Sequence, residues 1–264
     1  MLNYLTPIAL TLLAWWLCTG IVLLLNKLPT TTQKWSLTGA TLLMLFCLVH
    51  LQEVANEPSK SAAILAFLQA LCIWAWLEMT YLMGWLTGTS KAPCPPQTLG
   101  FKRFKLALMT SIHHELAVIL IGVVIIATTW NSVNEICVLT YLTLWLMRWS
   151  AKLNLFLGVA NLNTEWFPDK MRYLTTYMRH RRMNPFFPFS MLFALVVTAH
   201  WAYTAANATT MHELTGYTLI ASLLTLAMLE HCFLVVRVGD SALWSWALKA
   251  ATRYSESPLK VKKT

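Results

Sequence analysis

Tyr141–Ser190, YLTLWLMRWSAKLNLFLGVANLNTEWFPDKMRYLTTYMRHRRMNPFFPFS, is the stretch that decides how this chain is read. It opens as an apolar helix and then places Arg148 and Lys152 inside the apolar run. Four residues apart, the two cations share one helical face. A charge at a bilayer centre costs about 2.5–3.5 kcal/mol on insertion scales, so such residues turn toward protein or water and find partners. After Gly158 the pattern changes to a polar, aromatic, strongly basic segment. That segment ends at Asn184-Pro185-Phe186-Phe187-Pro188, where the next apolar run begins.

The rest of the chain explains why a charged helix is tolerated. With 57% hydrophobic and 12% charged residues, these 264 positions carry more apolar surface than a soluble domain of this size buries. Several apolar runs exceed about 18 residues, the length that reads as a membrane span. The expected fold is all-α, a polytopic transmembrane helical bundle of about seven spans. The spans are placed at 4–26, 36–52, 62–87, 105–129, 135–159, 186–205 and 214–238. Residues 1–240 form the transmembrane domain, with an amphipathic basic segment at 164–185, and 241–264 form an amphipathic, basic cytoplasmic tail. No basic residue precedes the first run and Lys27 and Lys34 follow it, the reverse of a cleaved signal, so it is read as an anchor.

The formal charge of +9 is read as a topology signal, not as a nucleic-acid footprint. Lys27, Lys34, Lys91, Lys102, Arg103, Lys105, Lys170, Arg172, Arg179, Arg181 and Arg182 fall in alternate connections, and the tail adds more. The opposite connections hold Lys60 alone. This asymmetry predicts the N-terminus outside and the C-terminus in the cytoplasm. The six cysteines form no C-x-x-C pair and read as small buried hydrophobes.

Acidic residues also enter the spans: Glu78 in WLEMTYLMG, Glu115 beside His113 and His114, and Glu230 beside His231. With Arg148, Lys152 and Asn154 they form an intramembrane polar belt drawn from four spans. One reading is a salt-bridge and hydrogen-bond network that fixes span packing. A second is ligation of a metal, haem or chlorin by histidine, with His114 and His231 as candidates. A third is a proton or ion path. The Glu-x-x-His spacing of di-iron sites is absent, and adjacent Glu–His pairs point about 100° apart on a helix. No Gly-x-Ser-x-Gly or phosphate-cradling glycine loop is present, so no catalytic residue is assigned. Trp166, Arg172, Tyr173, Arg179, Arg181, Arg182 and Asn184 are expected to form a surface toward partners and anionic lipid.

The same residues carry a family resemblance. WLEMTYLMG, APCPP, HEL at 114–116, MRWSAKLNLFLGVANLNTEWFPD followed by RYL, MNPFFPFS and LEHCFLV are similar to the PuhE-type photosynthetic complex assembly proteins of purple bacteria. Trp15-Trp16 and Thr19-Gly20 extend the likeness to the first span. The resemblance implies a multi-pass protein of the bacterial cytoplasmic membrane that serves the build-up of the reaction centre and core light-harvesting antenna. Its implied partners are reaction-centre or antenna subunits, other assembly factors and membrane lipids. The resemblance ties the chain to bacteriochlorophyll-containing complexes but assigns it no cofactor, and bacteriochlorophyll and haem stay open as candidates. The polar belt is then a packing core or a transient pigment site. The reading from another class is an intramembrane enzyme or cofactor protein acting on tetrapyrrole.

Overall fold

The computed structural model describes residues 2–162, 164, 167–236, 243–247 and 249–250. Among the described residues the regular structure is helical, with a single isolated backbone bridge between Val159 and His180. The α-helices are α1 (Leu2–Lys27), α2 (Thr30–Val49), α3 (Leu51–Ala55), α4 (Lys60–Leu82), α5 (Gly100–Met109), α6 (Ile112–Thr128), α7 (Ile136–Leu157), α8 (Phe186–Ala206) and α9 (Met211–Phe233). Four of them, α1, α4, α8 and α9, are long and apolar enough to cross a membrane. The pair α5–α6, bent by 68°, makes a fifth if it crosses as one broken span. Helices α2 and α7 also lie where spans are expected. They are less apolar, α2 because it opens on Thr30–Lys34 and α7 because it carries Arg148 and Lys152.

Helix α4 lies at the centre and packs against α1, α2, α3, α6, α7 and α9. Its Ala62, Ala63, Ala66 and Ala70 are almost wholly buried, and small side chains let neighbouring backbones approach. Around them Phe67, Ile73 and Leu77 meet Ile125, Ile136, Tyr141 and Leu219 in one core. Gly216 of α9 belongs to the same contact: a Cβ there would stand 2.3 Å from Ile136 Cδ1. Helix α8 is the outermost, resting on α9 and exposing Phe189, Leu192, Phe193 and Val196. That is the surface a lipid-facing helix presents.

The connections sort to two ends. At one end Asn134 donates from its backbone to Ala55 O (2.9 Å) and from its side chain to Val54 O (3.1 Å). The other end gathers the basic connections. There Lys170 Nζ bonds Met83 O (2.6 Å), and Asn161 Nδ2 bonds Phe233 O (2.7 Å). Arg103 reaches the carbonyls of Phe156 (3.2 Å) and Tyr177 and lies over the Phe156 ring.

In the described part of the 164–185 segment, Asp169–Tyr177 forms a 3-10 helix. Met171, Leu174 and Tyr177 are its buried residues. They recur every third position, so a helix of three residues per turn aligns them on one edge, where Met171 and Leu174 pack against Tyr81 and Leu82. Burial and nearby Lys91 hold the Lys170 ammonium below the usual lysine range. The expected continuous span 105–129 is broken, at Thr110–Ser111. Thr87 O accepts the His114 N–H (3.0 Å), and Met109 O accepts the Ser90 N–H (3.2 Å). Only glycine permits this approach at position 88, where a Cβ would lie 2.0 Å from Met109 O.

Candidate functional site

The belt residues converge beneath the basic end of the bundle. Glu78 occupies the last turn of α4 and Glu230 the last turn of α9, whereas the bend puts Glu115 in the first turn of α6. Glu78 is thus about 6 Å from the end of its helix, nearer the surface than a mid-span position. At the start of α6 the Glu115 carboxylate also meets the positive end of the helix dipole.

Helix α7 supplies the opposite charges, and the i, i+4 spacing sends both to the same side. Arg148 Nη1 bonds Glu78 Oε2 at 2.5 Å, and Lys152 Nζ pairs with Glu115 Oε1. Tyr81 lies under both cations, with its ring centroid 5.3 Å from each, a cation–π arrangement. On its other side it packs against the His114 ring, 4.6 Å between centroids. Glu230 accepts from Trp15 Nε1 (2.7 Å), which ties α9 to α1. His231 Nδ1 faces Ala227 O (2.8 Å), so in the neutral ring that nitrogen carries the proton. Nε2 then accepts from the Ser150 hydroxyl (2.9 Å).

These groups border a partly open cavity of about 550 Å³. Glu78, Glu115, Arg148, Lys152, Glu230 and His231 all line it, and the remaining wall is mainly apolar and aromatic. The segment 243–247 closes part of it. Trp244 stands 5.2 Å from Trp15, donates to Trp16 O (3.1 Å) and is 1% exposed. Trp16 Nε1 returns a bond to Leu243 O (2.9 Å), and Trp246 packs on Gly20.

Other predicted residues lie elsewhere. His113, one position from His114, is exposed and leaves the belt because adjacent helical residues diverge. Asn154 is buried on the opposite side of α7, bonded to Ser190 Oγ (3.1 Å). Asn184, expected on the partner surface, is 1% exposed. Its Oδ1 accepts the N–H groups of Phe186 and Phe187, and its Nδ2 donates to Asn154 and Gly158. It caps α8 and ties it to α7, which takes it out of any contact surface. Arg172, Arg181 and Arg182 are exposed, Tyr173 and Arg179 half-buried, and Trp166 lies outside the described residues. Tyr81, Trp15 and Ser150 are site residues that sequence reasoning missed. Tyr81 follows Glu78 by three, a spacing that could have marked it, whereas Ser150, two residues from each cation, lies on another face of α7 and carries no local signal.

Among the described residues, no three His, Cys, Asp or Glu side chains come together as a metal site. His114 and His231 are not brought together: His114 is wholly buried, with both ring nitrogens unpartnered and no face on the cavity. His231 faces the cavity, with its Nε2 already engaged by Ser150.

Fold and site together define a helical protein with several helices long and apolar enough to cross a membrane, built around a charge-paired interior at one end. Its sequence places it in a family: residues 1–255 match the family described as Protein of unknown function (DUF3623), and the chain belongs to that family. It is 32% identical over 251 residues to an "Uncharacterized 30.4 kDa protein in puhA 5'region" of Rhodobacter capsulatus, an alignment covering 94% of this chain and 92% of the relative. No solved structure matches it.

Proposed function

We propose that this protein is a multi-pass assembly factor for the bacterial photosynthetic reaction centre and its core light-harvesting complex, of the PuhE type. The observation that carries the reading is the nearly full-length relative encoded in the puhA 5' region, a gene position that suits a photosynthetic role. The protein sits in the cytoplasmic membrane with seven crossings, the N-terminus outside and the basic end in the cytoplasm. The charge asymmetry of the connections supports that orientation. Exposed Arg172, Arg181 and Arg182 on the basic end suit contact with anionic lipid or an acidic partner surface. The belt charges are engaged with one another, as a packing core requires.

A deletion strain tests this reading. Assembled reaction-centre complex is expected to fall while the bacteriochlorophyll pathway stays chemically complete, with no precursor accumulating. Replacing Arg179, Arg181 and Arg182 together by Ala should reproduce part of the loss at an unchanged level of the protein itself. Accumulation of one tetrapyrrole intermediate, cured by the natural chain but not by His231→Ala, would instead make the protein a tetrapyrrole enzyme.

A further inference from the structure

Where α7 ends, three arginines from two distant parts of the chain meet. Arg103 of α5 is 5% exposed, its guanidinium bonded to the carbonyls of Phe156 and Tyr177 and stacked on the Phe156 ring. Arg179 and Arg181 stand close enough for their charges to act on it. Backbone bonds hold them there: the Arg179 N–H donates to Leu155 O (3.2 Å) and the Arg181 N–H to Val159 O (3.0 Å). The Arg181 stem also lies against Gly158, where a Cβ would come within 2.8 Å of its Cγ and Cδ.

Like charges fixed together in this way raise the local potential. Among the described residues the ion pairs are His50–Glu53, Arg148–Glu78 and Lys152–Glu115, so none of the three arginines meets a carboxylate. The C-terminal end of α7 offsets about half a unit charge, against three. Arg103 is buried and already bonded, so it acts as fixed positive background and not as a contact. Arg179, half-buried, and Arg181, exposed, offer the planar forks that match two oxygens of a phosphate.

Helix α8 identifies the rest of the ligand. Asn184 caps it and donates to Gly158 O (2.9 Å), which fixes its start against the arginine segment. From its first turn onward Phe189, Leu192, Phe193 and Val196 are 59–70% exposed and share one face, about 10 Å long. An acyl chain suits that stripe, and a free phosphate makes no use of it. A headgroup carrying its own ammonium would set that charge against the arginines, whereas an anionic phospholipid would not. We propose that Arg179 and Arg181, with Arg103 behind them, bind the phosphodiester headgroup of an anionic phospholipid whose acyl chain lies along α8. The proposal narrows the lipid-or-partner contact of the assembly reading to lipid, and rests on α8 facing the bilayer. Binding is read on the purified chain, so it can fail while the assembly role holds, and the reverse.

Thermal unfolding of the full chain in a neutral detergent tests the site, with native mass spectrometry to count bound lipid. The titrants are phosphatidylglycerol, phosphatidylcholine, inorganic phosphate and a glutamate-rich peptide. Phosphatidylglycerol is expected to stabilise saturably, as a single molecule per chain, at concentrations about tenfold below phosphatidylcholine. Arg179→Gln with Arg181→Gln should remove that preference. Lys34→Gln with Lys91→Gln, the same loss of charge at two other exposed positions of the basic end, should keep it. Should the glutamine variant fail to fold, Arg179→Lys with Arg181→Lys keeps the charge, loses the forks and should still weaken binding. Equal stabilisation by the two lipids would overturn the proposal. So would an equal loss in the lysine control, which would mark unfocused surface attraction. Inorganic phosphate stabilising as well as the lipid would make the ligand a soluble phosphate, and tighter binding of the peptide would make the surface a protein contact. Either result overturns the lipid assignment.

Discussion

Arg148 and Lys152 leave α7 one turn apart, and each meets a carboxylate from a different helix. Arg148 pairs with α4 and Lys152 with α6, so the two bonds hold three helices in one register. Tyr81 between them offers both cations an aromatic face in place of water. An ion pair in this setting adds little net stability over apolar side chains, because desolvation offsets its attraction. Breaking it is another matter, since the remaining partner is left charged and dry. Arg148→Leu should therefore destabilise the protein by about 3–5 kcal/mol, seen as a sharp drop in membrane abundance and in the unfolding temperature of the purified chain. Adding Glu78→Leu should recover part of that loss. A single Arg148→Leu variant at normal abundance would mean that Glu78 does not depend on it.

At the scale of elements, close backbone approach is what assembles the bundle. Gly216 brings α9 onto Ile136 of α7 beside Ala63 of α4, and Gly88 lets the α4–α5 connection cross the α5–α6 bend. Nothing in the apolar periodicity of 105–129 signals that bend. It exists because Thr87 and Met109 exchange backbone bonds with the residues they cross, which replaces bonds a straight helix would make. Glycine position, not glycine content, thus carries the packing. Gly216→Val should cost about 1–3 kcal/mol by overpacking. Gly39, in α2, has nothing within 4 Å of its would-be Cβ, so Gly39→Ala should gain about 0.5–1 kcal/mol from helix propensity. Thermal unfolding of both variants in one detergent checks the pair, and shifts of the same sign would contradict it.

The whole molecule is polarised. Its basic connections gather at one end, over the belt and the cavity, and the end formed by 50–59, 129–135 and 207–210 carries Lys60 alone. The 3-10 helix and the Ala92–Pro96 connection interlock at the basic end: Cys94 N donates to Thr176 Oγ1 (2.8 Å) and Tyr177 Oη to Ala92 O (3.1 Å). The proposed topology makes a direct prediction. Reporter fusions after Gly100 and Met183 should read cytoplasm, and fusions after Ser132 and Thr210 should read the periplasm. The same side for Met183 and Thr210 would eliminate α8 as a crossing and with it the seven-span arrangement.

Composition and periodicity alone determined that the chain is helical and apolar enough for a membrane, where most of its long helices lie, and that charges stand within those helices. Those properties are local, since a run of apolar residues or a charge within it has the same consequence whatever surrounds it. The pairing of the charges was not local. Three glutamates and two cations allow several matches, and only the packing of α4, α6 and α7 chooses Arg148 with Glu78 and Lys152 with Glu115. The same holds for Asn184, whose polar character suggests a surface residue until the start of α8 and the end of α7 close around it. Trp244, read as part of an amphipathic cytoplasmic tail, is buried because α1 offers Trp15 and the carbonyl of Trp16 to receive it. The cavity belongs wholly to the tertiary structure, because its walls come from helices far apart in the chain and its volume is what their side chains leave unfilled.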